Sequence, residues 1–189
     1  MDITNTVRDL GEVPMQALRE AILAQDEKAW ADQDYRQKVY EVHRLTQSIV
    51  MMFTDGSNWP NIEVRKESGW DALKESAIPL MEGLIAKHYS AGGTVIRAMA
   101  AKLVVGGIIK PHTDTHASFH HTHRIHVPIT TNSRVRFMID GKPHQLQVGK
   151  AYEVNNQLRH SVMNKGSEDR ITFIFDYMPA SQVGAVAHE

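Results

Sequence analysis

The sequence predicts an α+β fold, mainly β, in which a sandwich or jelly roll carries helices on its outside. Three observations predict it. Residues 94–177 break into seven or so short β-rich runs, separated by turns of Gly, Asn and Asp. Helical periodicity is confined to the first half of the chain. At 189 residues, 42% apolar and with no Cys, the chain is long enough to bury a core without staples.

The elements follow in order. Met15, Leu18 and Ile22 recur at helical spacing after Pro14, a residue tolerated in a first turn. Polar residues dominate 25–38, which suits an exposed helix or a loop. Residues 42–53 crowd Ile, Val, Thr and Phe together and read as a strand, and 54–60 read as a turn. Trp70, Leu73, Ala77, Leu80, Met81, Leu84 and Ile85 share one face of a second helix, which Pro79 is expected to kink or split. Gly92-Gly93 closes this half. From there strands are expected at 94–105, from Ile108 after Gly106-Gly107, at 124–130 and at 134–139. Asp140-Gly141 is a two-residue hairpin signal with its return at 142–146. Val148-Gly149 turns into 151–154, and 160–163 and 170–177 are expected to pair as a last hairpin. The reading is one domain over 1–189: supporting helices and an early strand in 1–93, a β core in 94–178, and a tail at 179–189.

Composition removes several function classes. Lys and Arg number 21 against 22 Asp and Glu, a formal charge of −1, so a chain that tracks nucleic-acid phosphates or an anionic membrane is not expected. The absence of Cys excludes disulfides, a Cys nucleophile, thiolate zinc sites and Fe–S clusters. Residues 1–10 hold no hydrophobic run, and the longest apolar stretches, such as 49–53, are too short to span a bilayer, so a cytoplasmic protein is expected. Histidine stands out, with six of the eleven falling between residues 112 and 126.

His112 and Asp114 lie two apart after an apolar strand, a spacing that projects both side chains to one face. His160, 46 residues beyond Asp114, is the best candidate for a third ligand. Two His and one carboxylate on one face of a metal leave the other face open, the ligand set of non-haem Fe(II) oxygenases. A His-x-Asp pair alone also arises by chance on surfaces. Arg170 follows His160 by ten residues. In the expected hairpin it would stand about 10 Å from His160, a distance at which a guanidinium could grip the far carboxylate of an iron-chelating diacid; otherwise it is a surface arginine. Arg124 and His126 share a strand face opposite Ile125, Val127 and Ile129. If the apolar residues meet the core's outer layer, Arg124 and His126 face the interior, where an anion would offset their burial; on an edge strand they would face solvent. His116, His120, His121 and His123 read as a solvated loop. Arg44, Asn155 and Asn156 are candidate substrate contacts, and the two asparagines suit a turn equally well.

The segments "IIKPHTD", "HRIHVPITTN", "VGKAYEVNNQLRHSVMNKG" and "DRITFIFDY" resemble the aspartyl/asparaginyl β-hydroxylase family of Fe(II)/2-oxoglutarate dioxygenases in order and spacing. The resemblance implies a double-stranded β-helix with His112, Asp114 and His160 as iron ligands. It further implies that Arg170 holds the 2-oxoglutarate C5 carboxylate with Arg124 and His126 assisting. Some members of the family lack the carboxylate ligand; here Asp114 is present. The implied activity is hydroxylation of an unactivated C–H bond using Fe(II), 2-oxoglutarate and O2, with succinate and CO2 as co-products. A small molecule such as an amino acid is the expected substrate. The alternatives are a peptide aspartyl/asparaginyl hydroxylase, a cupin-type enzyme of another reaction class and a non-enzymatic metal-binding cupin module.

Overall fold

The computed structural model describes residues 3–32, 45–54, 59, 62–182 and 186–187. In chain order the strands and helices are β1 (Val7–Glu12), α1 (Gln16–Leu23), α2 (Glu27–Ala31), β2 (Thr46–Phe53), β3 (Ile62–Glu63), β4 (Arg65–Lys66), α3 (Gly69–His88), β5 (Thr94–Leu103), β6 (Ile108–His112), β7 (His123–Thr130), β8 (Val135–Ile139), β9 (Lys142–His144), β10 (Lys150–Val154), β11 (His160–Asn164), β12 (Arg170–Met178) and β13 (Val186–Ala187). A seven-stranded sheet runs β1-β10-β7-β12-β5-β2-β4 and faces a four-stranded sheet, β6-β11-β8-β9; β13 pairs with β3 in a third, two-stranded sheet. This is a double-stranded β-helix with its helices outside.

Alternation along the strands of the large sheet divides its two faces. Outward residues, among them Ile125, Val127, Ile129, Phe173 and Phe175, pack with Leu18 and Ile22 of α1 and Leu73, Ala77, Leu80 and Leu84 of α3. Inward residues such as Leu103, Tyr152 and Val154 meet Phe137, Ile139 and Val162 of the small sheet. Burial of these two apolar layers against each other is what closes the barrel. Arg124 and His126 therefore face the interior, where polar groups are costly without partners.

The structure differs from the sequence expectation in four places. Pro79 does not split α3, which runs unbroken from Gly69 to His88. Pro79 and Glu75, whose carbonyl loses its helical donor, are both exposed, so the lost bond falls on the solvent side of the helix. The expected hairpin of 160–163 with 170–177 does not form: β11 pairs with β6 and β8, and β12 with β5 and β7. The turn between them instead carries the chain from one sheet to the other. It is pinned by the Asn164 amide, which donates to the Leu103 and Glu168 carbonyls. The early strand begins at Thr46, residues 42–44 lying outside the described part. Val7–Glu12, not expected as a strand, pairs with β10 through a bulge at Gly11. The Asp140-Gly141 turn is as expected, both residues having positive φ, 50° and 71°. Among the described residues no helix is long and apolar enough to cross a membrane.

Candidate functional site

Strand register assembles the first part of the site. β6 and β11 are antiparallel neighbours with His112 opposite His160. The two imidazoles thus emerge side by side, centroids 4.4 Å apart. Asp114, two residues past His112, brings Oδ1 to 3.7 Å from His112 Nε2 and 4.0 Å from His160 Nε2. One ligand atom from each of the three residues lies within 4.8 Å of the others. The other ring nitrogens explain the orientation. His112 Nδ1 lies 2.8 Å from the Lys110 carbonyl and His160 Nδ1 2.9 Å from the Leu158 carbonyl. A carbonyl only accepts, so each Nδ1 carries the proton and each Nε2 turns a lone pair toward the same point.

Asp114 is tied on one side. Its Oδ2 accepts from Asn156 Nδ2 at 2.9 Å and is ion-paired with Arg124 Nη1, also at 2.9 Å, leaving Oδ1 toward the histidines. Burial pushes its pKa up, but the Arg124 and His160 charges and the Asn156 hydrogen bond outweigh that and set it at about 2. Burial also lowers His160 below the ordinary histidine value. Both groups are therefore deprotonated at neutral pH, the state that binds a metal. Behind them, Arg124 forks onto Asp176 and lies over the Phe119 ring, as does Arg97.

A second cluster lies deeper in the barrel. Arg170 is 6% exposed, and its side chain makes no hydrogen bond or ion pair among the described residues. Burial alone pulls its pKa to about 10, so it remains charged at neutral pH. His126 is also buried, with both ring nitrogens unpartnered, as are the hydroxyls of Ser48 and Thr172. Register places Thr172 beside Ala101 and Ala101 beside Ser48, so the two hydroxyls belong to one row across three strands. Phe137 links this cluster to the triad: its ring lies 5.9 Å from the His126 ring, 6.5 Å from that of His160 and 5.9 Å from the Arg170 guanidinium carbon. Buried polar groups are ordinarily satisfied, and a buried unpaired cation is costly. An anion with oxygen acceptors fits this cradle, and the N/O donors of the triad fit a divalent metal.

Comparison with known proteins places the chain in a family. The sequence profile of the family described as Aspartyl/Asparaginyl beta-hydroxylase matches residues 15–179. The chain belongs to this family. As an aspartyl/asparaginyl β-hydroxylase family member, it is part of a group of oxygenases for which Fe(II), 2-oxoglutarate and O2 are implied. No curated protein sequence shows significant similarity. Solved structures share the fold at low identity. The non-heme monooxygenase ThoJ in its apo form superposes with a TM-score of 0.59 at 13% identity, covering 98% of this chain and 85% of that one. A prolyl hydroxylase from Trichoplax adhaerens, in complex with a hypoxia inducible factor peptide fragment, gives 0.59 at 13% identity, covering 95% and 86%. A Pseudomonas putida prolyl-4-hydroxylase gives 0.54 at 10% identity, covering 93% and 94%.

Within this family member, the residues singled out from sequence fall in distinct places. His112, Asp114 and His160 come together, and Arg170 and His126 lie in the cradle beyond Phe137. Arg124 places its guanidinium on Asp114 and Asp176. Asn156 holds Asp114, whereas the Asn155 amide donates to the Ile3 carbonyl and accepts from Gln157 N, closing a turn. Arg44 lies outside the described residues. The histidines expected in a solvated loop are more anchored than that, and His123 is the first residue of β7 rather than part of the loop. His116 accepts from Ser118 N, His121 stacks on Trp59 at 4.8 Å, and His123 bonds the fully buried Glu153. Sequence reasoning missed Asp176 and Arg97. The one signal for Arg97 was a charge inside the apolar run "TVIRAMAA".

Proposed function

We propose that this protein is an Fe(II)- and 2-oxoglutarate-dependent hydroxylase of a small molecule of amino-acid type. The observation that carries the reading is a buried arginine, without a counter-anion among the described residues, separated by the Phe137 ring from three convergent metal-ligand atoms. His112, Asp114 and His160 would hold the iron. Arg170 would grip the far carboxylate of 2-oxoglutarate in a charge-assisted fork, with His126 and the Thr172 and Ser48 hydroxyls as neighbouring polar contacts. Arg124 and Asn156 hold Asp114 ionised and oriented, and Phe137 shields the space between cradle and triad. When bound, the iron, cosubstrate and O2 supply the oxidising chemistry that inserts one oxygen into a C–H bond and releases succinate and CO2.

Pro111 supports the small-molecule reading. It sits in β6, an edge strand that leads into His112, and it has no N–H to offer an added peptide strand. The second reading, a peptide hydroxylase, draws on the peptide-bound prolyl hydroxylase that shares the fold. Succinate release measured across free amino acids and across Asp- and Asn-containing peptides separates the two. Turnover is expected with a free amino acid and lost in His112→Ala, Asp114→Ala and His160→Ala with the fold retained. Turnover that survives His160→Ala removes the ligand assignment, and Zn(II)-supported turnover in iron-free buffer points to other chemistry.

A further inference from the structure

Arg124 and its partners form a chain of buried charge that reaches the triad from behind. Its Nε and Nη2 sit on the two oxygens of Asp176, both at 2.9 Å, and Nη1 is left to reach Asp114 Oδ2 at 2.9 Å. Asp176 is fully buried, and its Oδ2 lies 3.5 Å from Arg97 Nη1. Arg97 is in turn fixed by donating to the Thr54 carbonyl and the Ser118 hydroxyl. A guanidinium is planar and rigid, so seating its Nε–Nη2 edge on one carboxylate sets where Nη1 points. Arg124 without that seat is a long side chain with many rotamers.

We propose that Asp176 is a positioning residue of the metal centre: held by Arg97, it aims Arg124 so that Asp114 Oδ2 is capped and Oδ1 alone is presented to the ion. The proposal rests on reading His112, Asp114 and His160 as ligands. Oδ2 already accepts a hydrogen bond from Asn156 and is ion-paired with Arg124, whereas Oδ1 faces both Nε2 atoms. Freed of Arg124, the Asp114 carboxylate could turn about its own bond and lose that aim. Outer partners that orient ligands in this way typically change metal affinity by about 10- to 100-fold when removed.

Mn(II) titrated into the full-length metal-free protein, with free Mn(II) read by EPR, tests this. Asp176→Asn is expected to weaken binding by about 10- to 100-fold. Arg124→Lys keeps the charge but not the fork, and a comparable loss there carries the test if Asp176→Asn does not fold. In an Asp114→Ala background, Asp176→Asn should cause no further loss, because its effect runs through Asp114. Unchanged Mn(II) affinity in the single variants, or an equal further loss without Asp114, overturns the proposal. Wild-type binding that persists when His112 and His160 are both changed to Ala overturns the ligand reading and the proposal together. Binding that needs both histidines but ignores Asp176 overturns the proposal alone.

Discussion

Arg170 keeps its charge in an interior where Phe137 lies against it and, among the described residues, no carboxylate answers it. Arg170→Gln is therefore expected to raise the apparent KM for 2-oxoglutarate while altering substrate preference little. Hydrogen bonds to charged groups contribute about 1.5–3 kcal/mol, or roughly ten- to a hundredfold or more at 1.4 kcal/mol per decade. Arg170→Lys should recover part of this, since an ammonium cannot reproduce the fork. Initial rates against 2-oxoglutarate concentration, with iron and ascorbate fixed, decide it, and an unchanged KM defeats the cosubstrate assignment. At this scale the triad was legible because His112 and Asp114 are sequence neighbours and His160 ends a recognisable spacing. Asp176 and Arg97 were not, because what marks them is a partner on another strand.

Helix α3 shows what local pattern misses at the scale of elements. A proline in mid-helix removes a donor and crowds the preceding turn, yet the apolar face continues through Ala77, Leu80 and Leu84 and holds the helix together. Pro79→Ala restores the missing bond at an exposed position and should stabilise the protein by about 1–3 kcal/mol. Thermal melting should rise by roughly 2–4 °C per kcal/mol for a chain of this size; a lower melting temperature would show that the proline is needed there. The same limit explains the hairpin that was expected and does not form. A break between the two strands is legible in the sequence, but which sheet receives the next strand depends on distant residues. β1 escaped notice because Asp9 and the Gly11 bulge interrupt its alternation.

For the molecule as a whole, buried ionisable groups set the response to acid. Burial first, then the charges of Arg170 and Arg124, hold His126 well below the ordinary 6.5. The unfolded chain takes up a proton there as pH falls through 6.5 and the folded chain does not. Stability is thus full above pH 6.5 and declines below it, by up to about 1.4 kcal/mol per pH unit for this one group. His160 acts in the same direction. Asp114, at about 2 against 3.8 unfolded, adds a second loss only between those values. Urea midpoints of the metal-free protein between pH 7.5 and 5 should fall on acidification, and His126→Gln should flatten the slope by up to one proton. Superimposable curves would mean that His126 is not buried neutral.

Strand β12 lies between β7 and β5 in the large sheet and serves two masters on alternate positions. Ile171, Phe173, Phe175 and Tyr177 belong to the layer under the helices, while Arg170, Thr172 and Asp176 belong to the interior. Point changes can therefore be sorted by parity: one set reaches the layer under the helices, the other the interior that holds the candidate site. Length changes cannot, because inserting or deleting a single residue between 170 and 176 would exchange the two sets and bury charges under the helices while turning phenylalanines toward the candidate site. Length is thus the property this strand cannot vary, and the connection at 165–169 before it is where an added residue leaves both sets in place.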